Sequence, residues 1–111
     1  MTALESALEG YFRKRVRGMG AMTIKLAPTV RGIPDRLVIM PKGRFALVEL
    51  KTERGRLSEI QKHWHEQLYR LTGVVVVVLY GKPEIDRWVT SQVDAIAPKT
   101  RKPRTTASAA R

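Results

Sequence analysis

Cysteine is absent from the 111 residues, which excludes disulfides and thiolate metal sites and suits a reducing compartment. Long hydrophobic runs are missing as well. The longest, Val74 to Tyr80, is far too short to span a bilayer, and the N-terminus has no signal-peptide hydrophobic region. The expectation is therefore a soluble intracellular protein with no membrane partner. Acidic residues are scarce, ten against twenty-one Lys and Arg. There is no internal repeat, Gly-rich phosphate loop of the P-loop type, Ser/His/Asp nucleophile set or Cys/His zinc pattern, and no small-molecule cofactor is expected. Nor are there the paired aromatics with which a single-strand RNA-binding sheet stacks bases.

What remains is strongly basic. The formal charge is +11 and the sequence pI about 10.7, a balance that points to a polyanionic partner. Residues 95–111 hold five Lys or Arg (Lys99, Arg101, Lys102, Arg104, Arg111) and no acid. The sixteen basic and ten acidic residues of the rest leave residues 1–94 at +6, so the expected folded unit is basic without its tail. One domain is expected over 1–94, followed at 95–111 by a tail of Pro, Lys, Arg, Thr, Ser and Ala that should be disordered and add sequence-independent grip on a polyanion.

The most informative stretch runs from Gly32 to Lys51. Two apolar runs, Leu37 to Met40 and Phe45 to Val48, flank Pro41-Lys42-Gly43 and read as a β-hairpin. A three-residue loop built on a type I turn followed by a left-handed residue suits Pro first and Gly last. Closing the loop there sets Met40 opposite Arg44, Ile39 opposite Phe45, Leu37 opposite Leu47 and Asp35 opposite Glu49. Asp35, Glu49 and Lys51 then share one face, because side chains alternate along a strand. A two-residue loop would pair Asp35 with Leu50 and put the two carboxylates on opposite faces. Like charges directly opposed destabilise a strand pair, so the pair implies a cation between them. Magnesium is commonly held by one or two carboxylates, with water and phosphate completing its shell. A neighbouring lysine can hold the attacking water or offset phosphate charge.

Around the hairpin, Thr2 and Glu5 have capping-box spacing, and Leu4, Leu8, Tyr11, Phe12 and Val16 predict an amphipathic helix over 3–17 that ends at Gly18 and Gly20. Glu5 and Glu9 lie on one side of it. By spacing alone Glu5 is a cap and Glu9 a partner of Arg13, although either could reach a metal site. Met22, Ile24 and Leu26 alternate as a first strand ending at Pro28. Lys25 and Arg31 read either as a solvated edge or as phosphate contacts. After Lys51 a basic loop containing Arg54 and Arg56 leads to Ser58 and Gln61, a second capping box, and a helix with the stripe Ile60, Trp64, Leu68 and Leu71 ended by Gly73. That helix N-terminus suits an anion. Gln61 is a cap that could also lean toward Glu49 and Lys51. His63 and His65, two apart, point to different sides of the helix, and a structural or surface role is expected for both. Val74 to Leu79 is typical of a strand buried on both faces in parallel pairing, which would close a right-handed βαβ unit from Phe45. A Gly81–Pro83 turn and a last short element with Ile85, Trp88 and Val89 follow.

Pro34-Asp35 with Glu49-Leu50-Lys51 resembles the PD-(D/E)xK nuclease superfamily, an α/β fold with an α-β-β-β-α-β core. The fuller pattern is more specific. Gly32-Ile33-Pro34-Asp35-Arg36-Leu37-Val38, Val48-Glu49-Leu50-Lys51-Thr52, Gly55-Arg56-Leu57-Ser58 and Gln61 are similar to the VRR-NUC family, the virus-type replication-repair nucleases, over about Leu4 to Trp88. The resemblance implies a mixed sheet flanked by helices, with Asp35 and Glu49 as metal ligands, the Leu50 carbonyl as a backbone ligand, Lys51 as the catalytic lysine and Gln61 as the helix glutamine. It also implies a first-helix glutamate, for which Glu9 is the better match and Glu5 the other candidate. Small stand-alone members resemble archaeal Holliday-junction resolvases and are expected to be symmetric homodimers acting on branched DNA.

The expectation is a magnesium- or manganese-dependent DNA endonuclease of bacterial or phage-infected cytoplasm. Lys25, Arg31, Arg54 and Arg56 would hold the DNA backbone, so selectivity would come from DNA shape. The alternative is a nuclease-fold DNA-binding protein without useful turnover. A basic RNA-associated protein is a weaker third reading, in which the acidic pair has no use.

Overall fold

A computed structural model describes residues 2–27 and 30–96. Within them seven helices and strands follow one another: α1 (Ala3–Gly18), β1 (Met22–Lys25), β2 (Arg36–Met40), β3 (Arg44–Lys51), α2 (Glu59–Thr72), β4 (Val77–Tyr80) and α3 (Gly81–Ile96). The four strands form one mixed sheet in the order β1-β2-β3-β4, antiparallel except for the parallel β3–β4 pair. This is the expected α-β-β-β-α-β core with a further helix at its end. No helix of the described residues is long and apolar enough to cross a membrane.

Both helix starts form as their spacing predicts. The Thr2 hydroxyl accepts from the Glu5 amide and the Glu5 carboxylate from the Thr2 amide, and Ser58 and Gln61 repeat the exchange at α2. Each exchange satisfies two backbone donors that a helix start leaves unpaired. Gly73 ends α2 in the left-handed conformation. The hairpin register is the expected one, with Met40 against Arg44, Ile39 against Phe45 and Leu37 against Leu47. Its turn is not a type I turn followed by one left-handed residue, because Lys42 (φ 67°) as well as Gly43 (φ 74°) is left-handed.

The core lies on one face of the sheet. Val38, Met40, Ala46, Val48, Leu50 and Leu79 pack against Leu8, Phe12 and Val16 of α1 and Ile85 and Val89 of α3. Phe12 is fully buried and stacks on Trp88 at 6.0 Å between centroids. The α1–α3 seam closes at its rim where Tyr11 and Arg15 both donate to Asp86 Oδ1, at 2.6 and 3.0 Å.

Three expectations are corrected. The last element is not short but a sixteen-residue helix, α3; Gly81, left-handed at φ 79°, turns the chain into it, and Pro83 lies in its first turn, where Pro is tolerated. The β-branched run gives a strand only from Val77, because the Val74 amide is still tied back to Thr72 Oγ1 at 3.0 Å as the chain leaves α2. That strand is also not buried on both faces. β4 is an edge strand with only Leu79 buried, since α1 and α3 cover one face and α2 contributes no buried residue. The opposite face keeps Met22, Ile24, Ile39 and Phe45 exposed, Phe45 by 59%. Pro28, where the first strand was expected to end, and the tail from residue 97 lie outside the described residues, while 95 and 96 belong to α3.

Replacing Phe12 with Ala removes a ring with no solvent exposure from the meeting point of both helices and the sheet. A loss of about 3–5 kcal/mol is expected, read as a lower urea midpoint with an unchanged slope. A midpoint shift worth less than about 1 kcal/mol would show that this seam is not the centre of the core.

Candidate active site

The carboxylates meet where the β2–β3 ladder runs out. Arg36 pairs with Val48, so one step further Asp35 stands opposite Glu49 on the face away from α1 and α3. Asp35 also ends the ladder, because its Oδ2 accepts from the Leu50 amide at 3.2 Å. In a strand the N–H and C=O of one residue point to the same edge, so the Leu50 carbonyl faces the Asp35 side as well. From α2, Gln61 Nε2 donates to Glu49 Oε2 at 3.0 Å while its Oε1 accepts from the Ser58 amide. The same side chain therefore caps the helix and grips the acid. Lys51 Nζ stands 4.0 Å from Glu49 Oε2.

Gly32 brings α2 close enough for this. It has φ +91°, and a Cβ there would lie 2.7 Å from the Ile60 carbonyl oxygen. Only glycine allows both the backbone conformation and the contact. The loop before Asp35 can then press on the first turn of α2, one residue from Gln61.

A cavity of about 480 Å³ opens over these groups, lined by Glu5, Glu9 and Lys25 on one side and by Asp35, Glu49, Lys51, Arg56 and Gln61 on the other. Glu9 lies in it, but not bound to Arg13. Its carboxylate is paired with Lys25 and with the buried Arg36, each at 3.4 Å. Glu5 is occupied in its capping box. Lys25 and Arg56 thus line the cavity, Arg54 borders an adjacent groove with Leu4, Leu8 and Lys82, and Arg31 is exposed on the loop before Gly32.

Glu49 is 1% exposed. Burial first, and the charge of Asp35 second, push its carboxyl up to about 8. The site thus carries an electrostatic cost that a cation between the two acids would relieve. Among the described residues no three His, Cys, Asp or Glu side chains converge as a metal cluster. The fit is to a hard cation held by two carboxylates and a backbone oxygen, leaving room for water and phosphate.

Two residues of the site escape a reading of the sequence. His65 stands with Nε2 3.8 Å from Glu49 Oε1 and 11% of its side chain exposed. Burial holds its imidazole below the ordinary value and hence neutral at pH 7. The signal is the i, i+4 step from Gln61, which puts both on one helix face; spacing between the two histidines hides it. His63 packs edge-on to Trp64 at 5.4 Å. Arg36 is the second, and its alternation with Val38 and Met40 marks it as a core-facing cation in need of an acid.

A family model for the VRR-NUC domain matches residues 6–83. The chain is 33% identical over 75 residues to "Putative nuclease p44" of Acyrthosiphon pisum secondary endosymbiont phage 1, an alignment covering 67% of this chain and 81% of that protein. It is also similar to a solved structure titled "VRR_NUC domain", with a TM-score of 0.71 and 28% identity over 80% of this chain and 97% of that one.

The raised Glu49 value fixes a pH dependence in the metal-free protein. Below the ordinary value of 4.5 the group is protonated folded or unfolded and contributes nothing. Between there and about 8 the folded chain keeps a proton that the unfolded chain releases, so stability falls as pH rises. Urea midpoints in EDTA at pH 5 and pH 9 should therefore drop more steeply for wild type than for Glu49→Gln. Equal drops would mean that Glu49 carries no such penalty.

Proposed function

Since the chain belongs to the VRR-NUC family of nucleases, we propose that it is a divalent-metal-dependent DNA endonuclease selective for branched DNA such as a four-way junction. The observation that carries this reading is the opposition of Asp35 and Glu49, two acids set against each other in a cavity rimmed by Lys25, Lys51 and Arg56. A polypeptide gains nothing in stability from that arrangement, whereas phosphodiester hydrolysis uses it.

In this reading Asp35, Glu49 and the Leu50 carbonyl would hold magnesium or manganese, with Glu9 in the cavity wall as the further ligand. The cation supplies charge stabilisation at the phosphate and makes water a stronger acid. Lys51 orients the attacking water and offsets the charge that grows on the phosphate oxygens. Gln61 fixes the Glu49 carboxylate. Lys25, Arg31, Arg54 and Arg56 hold the backbone on either side, contacts that position the strand without reading bases. The nuclease unit runs to the end of α3 at Ile96, and the basic stretch after it adds non-specific affinity that falls with salt.

The substrate preference rests on a two-fold dimer. The open sheet face, where Met22, Ile39 and Phe45 lie in one row by register, is an apolar surface that a second copy would cover. A symmetric pair would then offer two cutting sites to a branched substrate. The chain acts in this reading in the cytoplasm of a bacterial or phage-infected cell.

Labelled duplex, single strand, flap and four-way junction should be incubated with magnesium, manganese or EDTA. Cutting should require metal, and Asp35→Ala and Lys51→Ala should each lose at least about a hundredfold in rate. Paired symmetric cuts in the junction are expected. Sedimentation should give a dimer that Phe45→Lys dissociates. Tight DNA binding without cutting under either metal would replace this reading with a binding module.

A further inference from the structure

The two oxygens of Glu49 are not equally served. Oε2 accepts from Gln61, while Oε1 is buried and has no hydrogen bond. Facing it at 3.8 Å is His65 Nε2, also buried and also without a partner. A buried polar atom left unpaired is destabilising, and these two point at one another across a gap slightly longer than a hydrogen bond. Gln61 and His65 are four residues apart on α2, so they reach the same carboxylate from one helix face. His65 does not converge with Asp35 and Glu49 as a three-ligand metal cluster, so the geometry is that of a group behind a ligand.

We infer that His65 is a positioning residue for Glu49. In the working site its Nε2–H donates to Glu49 Oε1 while Gln61 holds Oε2, so that one helix fixes both oxygens and sets the direction of the remaining lone pairs. The inference rests on the nuclease reading for its consequence in catalysis, and on metal affinity independently of it. Side chains in this position orient a metal ligand, and their loss typically costs about 10–100-fold in metal affinity or activity.

The test compares wild type with His65→Phe, which keeps a ring but has no donor, and His65→Gln, which restores an N–H. Manganese binding is measured without DNA, by the paramagnetic resonance of free Mn²⁺, and cleavage is measured separately. His65→Phe should bind Mn²⁺ about 10–100-fold more weakly and lose kcat by a similar factor while KM for DNA changes little. His65→Gln should recover most of both. Wild-type affinity in both variants would overturn the inference. So would equal loss in both, which would make the imidazole a ligand or a packing group. If the variants fail to fold, the ¹⁵N spectrum of the wild-type imidazole in Mg²⁺ decides, with His63→Gln assigning the signal. A proton on Nε2 is expected, and a bare Nε2 would refute the assignment. Wild type that binds Mn²⁺ in this pattern but cuts no DNA would sink the nuclease reading and leave His65 standing. Wild type that binds no Mn²⁺ would sink both.

Discussion

Two acids on neighbouring strands, one step beyond the last ladder pair, are what the rest of this structure must hold in place. Asp35 and Glu49 face each other only because the turn at Pro41–Gly43 closes with three residues, and a slip of one would send them to opposite faces. The register is secured away from the acids, by the buried set Val38, Met40, Ala46 and Val48, whose alternation would be inverted by the same slip. At the acids themselves Asp35 binds the Leu50 amide, so one carboxylate is part of the sheet it strains. The core supplies stability, and the end of the hairpin uses some of it.

Features set by near neighbours in the chain are legible in the sequence. Both capping boxes, Gly73 at the end of α2 and the loop length of the hairpin depend on a few residues each, and the structure forms all of them. Lys42 is the exception, a non-glycine residue in the left-handed region, where the turn overrides the residue's own preference. Features set by distant parts of the chain are read less well. The Val74–Tyr80 run has the composition of a central strand, yet it sits at the sheet edge, and nothing within the run tells which faces will be covered. Spacing seeks the partner of Glu9 four residues along its own helix, whereas Lys25 and Arg36 come to it from β1 and β2.

The legible part of the candidate site has the same limit. Asp35, Glu49, Lys51 and Gln61 can be picked out because the hairpin and the helix start orient them. His65 cannot, because its significance arises only when α2 is laid over β3. That placement hangs on Gly32, which belongs to the loop before β2 yet lies against Ile60 and Trp64 of α2. A glycine in a motif is easily read as loop punctuation; here its missing Cβ sets the distance between a helix and a sheet.

α2 is therefore an unusual element. It fully buries none of its residues; of its apolar stripe Trp64 and Leu68 are half-buried and Ile60 and Leu71 exposed, Leu71 by 80%, although the stripe is that of a core-facing helix. Its firm attachments are at its start, through the contact of Gly32 with Ile60 and the hydrogen bond of Gln61 to Glu49. The exposed row of Met22, Ile39 and Phe45 lies on the same side of the sheet as Glu49, by the same alternation that placed the acids. The open row and the helix that holds Glu49 thus share one face of the sheet, while the core fills the other. A core built on both faces would put apolar side chains where Asp35 and Glu49 stand, so the open face belongs to the site as much as to the fold.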